Sequence, residues 1–103
     1  AMRDICLPCH VEYRVALVGV TVLEVVDGAV YAIYAADVLS CPRCGHSIVC
    51  ARTLSTPLEH WHSSFADALS GALALEARDP NRIVRVYGRV RDALAAEKGD
   101  QSS

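Results

Sequence analysis

The sequence lacks the motifs on which the common classes of enzyme depend. Its 103 residues hold no serine or cysteine in a recognisable nucleophile turn, no glycine-rich phosphate loop after a strand and no His-Glu-x-x-His helix. A strong charge of either sign is also missing, since the net charge is -2 at pH 7. We therefore expect a protein that is not an enzyme, has no evident small-molecule substrate and has no overall attraction for nucleic acid.

Long apolar runs are absent as well. The most apolar stretch, Val15 to Val26, is too short and too rich in β-branched residues for a membrane-spanning helix, and residues 1–5 do not begin a targeting segment. Four of the five cysteines stand in closely spaced pairs, which favours a metal in a reducing compartment over a disulfide scaffold. We expect a cytoplasmic protein that has no membrane partner.

The sequence does contain two matched Cys-x-x-Cys pairs, Cys6 with Cys9 and Cys41 with Cys44. Two cysteines separated by two residues can turn both sulfurs toward one ion at about 2.3 Å, and two such knuckles complete a tetrahedron. Gly45 follows the last cysteine and can adopt a positive φ that directs backbone amides at the thiolates. The sequence therefore predicts one structural Zn²⁺ bound by these four cysteines.

The second knuckle reads Cys-Pro-Arg-Cys-Gly and resembles the zinc-ribbon class, whose knuckles often read Cys-Pro-x-Cys-Gly. The resemblance extends from Cys6 to about Cys50. It implies a structural metal without any particular activity. One departure is the spacer between Cys9 and Cys41, which exceeds the roughly 15 to 20 residues of the commonest pattern.

Residues near the knuckles leave alternatives open. His10, His46 or Cys50 could replace one of the four thiolates, although a small buried residue in a strand is the main prediction for Cys50. The second knuckle also resembles a dithiol redox motif, in which the neighbouring Arg43 would favour the thiolate.

A hairpin explains how the knuckles meet across the long spacer. Asp27-Gly28 separates two runs of β-branched residues and fits a type I′ turn, which needs positive φ at both central positions. A turn there makes Leu23 face Ala32 and brings both knuckles to one end of the hairpin. Residues 47–52 are predicted to add a third strand.

Both faces of the predicted hairpin carry apolar residues. Strand alternation places Leu17, Leu23, Val25 and Val38 on one face and Val20, Val22, Ile33 and Leu39 on the other. Another layer must therefore cover at least one face.

Helical patterns follow in the second half of the chain. Thr56-Pro57-Leu58-Glu59 reads as a capping box, and the apolar stripe after it, which includes Trp61, predicts a helix that runs nearly to Arg78. Asp79-Pro80 predicts the start of a second helix that ends before Gly99. Because the link is short, the two helices should form an antiparallel pair.

The predicted fold is one α+β domain over residues 1–103. It combines a zinc-ribbon-like antiparallel sheet of about three strands in residues 4–54, a helical hairpin in 55–98 and a flexible tail in 99–103.

Four arginines recur at helical spacing in the second predicted helix: Arg78, Arg82, Arg85 and Arg89. One side of that helix could then lie along a phosphate backbone. The competing interpretation is a solvated face whose arginines pair with nearby carboxylates such as Asp92.

These patterns predict a small zinc-binding regulatory or adaptor protein. It would bind a protein partner, or itself as a homo-oligomer, through its apolar sheet face or its helix pair. The alternative is a nucleic-acid-binding or transcription-associated zinc-ribbon factor that uses the arginine stripe. A dithiol redox protein is a minor alternative.

Overall fold

The computed structural model describes residues 4–51 and 56–102, with side chains as far as Lys98. Within that part of the chain the strands are β1 (Ile5–Cys6), β2 (Val11–Glu12), β3 (Arg14–Val26), β4 (Ala29–Ser40), β5 (Ser47–Cys50), β6 (Leu58–Glu59) and β7 (Ile83–Tyr87). The helices are α1 (Phe65–Arg78) and α2 (Val90–Ser102), and a 3-10 turn covers Pro80–Arg82. The α+β class is confirmed.

Five of these strands form one mixed sheet in the order β5-β4-β3-β7, and β6 also pairs with β4. Strands β3 and β4 are antiparallel, whereas β7 runs parallel to β3. Strands β1 and β2 form a separate two-stranded sheet. The prediction of about three strands is therefore too low, because β6 and β7 come from the half of the chain that was assigned to helices.

The β3–β4 hairpin turns at Asp27 and Gly28 as predicted, with φ of 53° and 82°. The predicted register fails a few residues from the turn, where Leu23 faces Ile33 rather than Ala32. A β-bulge in β4 causes this change, and β3 has two further register shifts toward its start. Each bulge adds an unpaired residue to one strand. Counting residues back from the turn therefore does not give the correct pairing of β3 with β4.

Both helices lie on one face of the sheet. Leu23, Ile33 and Ile83 pack there against Ala72 of α1, and Tyr87 lines a cavity of about 350 Å³ beside α2. The other face carries a second apolar cluster whose described members all come from strands: Leu17, Val20, Val22, Tyr34, Ala36, Val38, Val49, Val84 and Val86. We call this second surface the helix-free face.

The first helix begins later than its sequence pattern predicts. Leu58–Glu59 forms β6, and α1 begins only at Phe65. The capping-box interpretation of Thr56 is therefore wrong. Pairing with the outer edge of β4 satisfies backbone groups here, including the amide of His60, which donates to the carbonyl of Tyr31 at 2.8 Å.

The second predicted helix is in fact a strand followed by a later helix. Residues 83–87 form β7, and α2 starts at Val90 and continues to Ser102. The prediction that a short link joins the two helices is therefore wrong, because a strand lies between them. Ile83 packs on the α1 side while Val84 contributes to the helix-free face, so β7 buries apolar groups on both sides.

Candidate metal centre

The two knuckles meet at the end of the sheet opposite the hairpin turn. Cys6 belongs to β1, and Cys41 follows directly after β4. The first knuckle is closed by the amide of His10, which donates to the carbonyl of Cys6 at 2.7 Å. The second is closed by the amide of Gly45, which donates to the carbonyl of Cys41 at 2.9 Å. Positive φ at His10 (55°) and Gly45 (79°) permits these tight turns.

The sulfur atoms of Cys6, Cys9, Cys41 and Cys44 all lie within 4.8 Å of one another. Those of Cys6 and Cys44 are 3.8 Å apart. A tetrahedral site with metal–sulfur bonds of about 2.3 Å has sulfurs about 3.8 Å apart, so the spacing fits a metal. Cys6 and Cys41 are buried, Cys9 is half-buried and Cys44 is exposed. This cluster indicates a small metal-binding protein.

Backbone amides make one member of the cluster unusually acidic. The amides of Cys44 and Arg43 donate to the sulfur of Cys41 and lower its pKa to about 6, although burial opposes the shift. Burial and hydrogen bonds with the neighbouring thiols raise the pKa of Cys9 to about 12. A cation among the sulfurs would favour the deprotonated form of each ligand, so metal binding would release protons.

Tyr13 is a neighbour of the cluster that the sequence analysis missed. Burial, a hydrogen bond with Cys6 and the nearby thiols raise the pKa of its phenol to about 12. Its ring centroid lies 6.5 Å from that of His46. The knuckle motifs give no signal for this contact, because the register that carries Tyr13 to the cluster depends on β1 pairing with β2.

The alternative ligands lie outside the group of four sulfurs. Cys50 is half-buried in β5, as predicted for a strand, and its Sγ donates to Oδ2 of Asp4 at 3.6 Å. His10 is exposed at the end of the first knuckle, and His46 is exposed after the second.

The four arginines predicted along one helix do not share an element. Arg78 ends α1, Arg82 ends the 3-10 turn, Arg85 lies in β7 and Arg89 precedes α2. The predicted helical stripe is therefore wrong, because the segment that should carry it changes from turn to strand to helix.

Three of these arginines also have partners within the chain. Arg82 Nη1 donates to the carbonyl of Val18 at 2.6 Å. Arg85 forms a two-pronged ion pair with Glu76 of α1, in which Nη2 and Oε1 are 2.8 Å apart. Arg89 Nη1 donates to Oδ1 of Asp27 at 3.1 Å.

Trp61 is an exposed aromatic residue at the rim of the helix-free face. Its side chain is 70% exposed, and its indole N–H donates to Oε2 of Glu59 at 2.8 Å. Glu59 is paired with Ala32 in the sheet, and Ala32 alternates onto the helix-free face. The sequence analysis placed Trp61 in the apolar stripe of a predicted helix, which is wrong because the residue precedes α1.

Comparisons with known proteins identify no relative, since no family model, curated protein or solved structure matches the chain. Within the described residues, neither helix has both the length and the apolar character that crossing a membrane requires.

Proposed function

We propose that this chain is a small regulatory or adaptor protein whose fold is stabilised by one structural Zn²⁺. The ligands would be Cys6, Cys9, Cys41 and Cys44, and the observation that carries the proposal is that their sulfurs lie within 4.8 Å of one another. A tetrahedral set of four thiolates is a donor set that favours zinc. Such a set leaves no open position for water, so the metal would stabilise the fold rather than catalyse a reaction.

The position of the cluster supports a structural role. Cys6 precedes β3 and Cys41 follows β4, so a bound ion would join the two chain segments that flank the long hairpin. Both residues are only 2% exposed. Because they meet at the end of the hairpin farthest from its turn, the ion would hold together the part of the hairpin that the turn constrains least.

The helix-free face supports the proposed role in binding another protein. It is lined by apolar strand residues, and no described helix contributes to its cluster. The members of this cluster are buried or half-buried within the chain. The exposed tryptophan at the rim is therefore the feature that is typical of an interface. Trp61 is held in place there by its hydrogen bond to Glu59.

Metal content and stability of the purified chain test the zinc proposal. We expect one zinc per chain, and we expect Cys41→Ser to lose both the metal and much of the thermal stability. Cys50→Ser is the matched control, because Cys50 is a cysteine of the same sheet whose sulfur contacts Asp4 instead of the cluster. Equal zinc in both variants would contradict the ligand set.

The same samples distinguish the redox alternative. If the wild-type chain carries no metal while Cys41 and Cys44 cycle between thiol and disulfide, the cluster is a redox site. The nucleic-acid alternative rested on a helical stripe of arginines that the structure does not contain. A steep salt dependence of binding to duplex or single-stranded nucleic acid would be the evidence in its favour.

A further inference from the structure

The segment between β6 and α1 holds an exposed aromatic side chain beside a carboxylate. Trp61 is 70% exposed. Its indole N–H donates to Oε2 of Glu59 at 2.8 Å, and the centroid of its ring lies 6.2 Å from that of His62. We call Glu59, Trp61 and His62 the tryptophan platform. Because most of the indole is open to solvent, the platform can still contact a group that belongs to another molecule.

Hydrogen bonds fix the platform to the sheet and to the start of α1. The amide of His62 donates to the carbonyl of Glu59, and the amide of Phe65 donates to the carbonyl of His62, both at 3.0 Å. Nδ1 of His62 accepts from the amide of Ser64 at 3.1 Å. Glu59 is itself paired with Ala32 of β4. An exposed indole that is held in this way loses little conformational entropy on binding, which is typical of residues that anchor interfaces.

The surroundings of the platform are acidic. Residues 53–77 of the sequence include three acidic residues but no lysine or arginine, and their two histidines count as neutral at pH 7. Strand β4, which pairs with β6, has no basic residue either. Glu24 of β3 is paired with Ala32 from the other side, so it lies level with Glu59 across the sheet. The local potential therefore favours a positively charged partner.

We propose that the tryptophan platform binds an arginine side chain of a partner protein. This inference rests on the proposed function and names the chemistry of the partner. The planar guanidinium stacks on the exposed indole of Trp61, while its N–H groups donate to the carboxylate of Glu59. Both contacts are possible at once, because the indole and the carboxylate are already neighbours and a carboxylate has acceptor sites beyond the one that the indole N–H uses.

The combination of an aromatic surface with a negative charge distinguishes arginine from other partner groups. A phosphate would be repelled by Glu59 and its acidic surroundings. A purely apolar side chain would cover the indole but would remove the carboxylate from water without giving it a partner, which costs free energy. A lysine would satisfy the charge, but it lacks the flat group that stacks on an indole. Arginine satisfies both parts of the platform.

Titration of the zinc-loaded chain with a hexa-arginine peptide tests the proposal. Trp61 is the one tryptophan of the chain, so its fluorescence reports binding at the platform directly. We expect a saturable change in this fluorescence, and we expect the anisotropy of a dye-labelled peptide to give the same dissociation constant. Higher salt should weaken the binding. A hexacitrulline peptide, which has nearly the same shape without the charge, should bind about tenfold more weakly, and hexalysine about threefold more weakly.

Conservative substitutions separate the aromatic part of the platform from the charged part. Trp61→Leu keeps an apolar side chain without an aromatic face and should raise the dissociation constant of the labelled peptide about fivefold, whereas Trp61→Phe should raise it less. Glu59→Gln keeps an oxygen that can accept from the indole N–H but removes the charge, so it should raise the constant about threefold. Glu97→Gln makes the same change on an exposed glutamate of α2 and should leave the constant nearly unchanged.

Melting temperatures of the variants show that the fold is kept, since an exposed side chain contributes little to stability. Absence of saturable binding up to about 1 mM peptide would overturn the inference. Equal binding of the arginine and citrulline peptides, or equal losses in Glu59→Gln and Glu97→Gln, would also overturn it. Zinc content measured on the same samples separates the two proposals. A zinc-loaded chain that does not bind the arginine peptide contradicts only the chemistry of the partner, whereas a metal-free chain contradicts the proposed function.

Discussion

Alanine substitutions at two glycines should change the stability in opposite directions, because the two glycines have different backbone conformations. Gly28 has a φ of 82° in the hairpin turn, so an alanine there is strained and should lower the free energy of unfolding by about 1 kcal/mol. Gly71 lies inside α1, where an added Cβ meets no heavy atom within 4 Å. Gly71→Ala should raise the same free energy by up to about 1 kcal/mol, because alanine favours the helix.

Urea unfolding of both variants beside the wild type measures these changes. Since each variant adds the same methyl group, a shared shift in one direction would come from something other than the backbone conformation. Shifts of opposite sign are the expected result, and a stabilised Gly28→Ala would contradict the turn geometry.

Single residues also show what the sequence could predict. The four cysteines were identified because a Cys-x-x-Cys knuckle is local, and the turn at Asp27 was identified because two adjacent residues determine it. Alternation placed Leu17 on the same face as Leu23, yet Leu17 packs with Val20 on the opposite face. The bulges of β3 cause this error, and no local pattern marks how many residues a bulge adds.

At the scale of elements, the main error was to interpret β7 as helix. Its apolar residues at positions 83, 86 and 87 fit the spacing of a helical stripe. The strand is so short that its apolar residues fit the period of a helix and the period of a strand equally well. The deciding factor is β3, which offers a free edge with which Ile83–Tyr87 pairs in parallel. Pairing with a strand so distant in sequence is a tertiary effect, which outweighs local preference.

The ion pair between Glu76 of α1 and Arg85 of β7 gives a prediction about pH. Hydrogen bonds from Arg85 hold the pKa of Glu76 below its usual value of 4.5, although burial opposes this. The lowered pKa means that the pair stabilises the fold above about pH 4.5 and loses this effect as the pH falls through the folded-state pKa. Because both side chains are partly exposed, the contribution should be at most about 1 kcal/mol.

Glu76→Gln should therefore be less stable than the wild type at about pH 7, and the difference should be smaller at about pH 3. Urea unfolding at the two pH values measures the difference. Glu97→Gln, which changes an exposed glutamate of α2, serves as the control and should show little effect at either pH. A destabilisation by Glu76→Gln that persists at low pH would indicate lost packing instead of a lost ion pair.

At the scale of the whole molecule, the two ends of the sheet are held by different means. At the turn end, Arg89 and Arg91 pair with Asp27, and the amide of Asp27 donates to Oδ2 of Asp92 at 3.0 Å. These contacts fix the hairpin tip to the start of α2. At the other end the cysteine cluster is the feature that joins the segments before β3 and after β4. Loss of a metal should therefore affect one end of the molecule first.

Removal of zinc by a chelator should lower the melting temperature, since a ligand that binds only the folded state stabilises it by an amount that grows with the logarithm of its affinity. Hydrogen exchange should show where the change occurs. The amides of His10 and Gly45 close the knuckles and should lose protection, whereas the amide of Gly88, which donates to the carbonyl of Val25 at 3.2 Å, should keep it. Uniform loss of protection would mean that the sheet cannot fold without the metal. An unchanged melting temperature would mean that the four cysteines do not hold a structural ion.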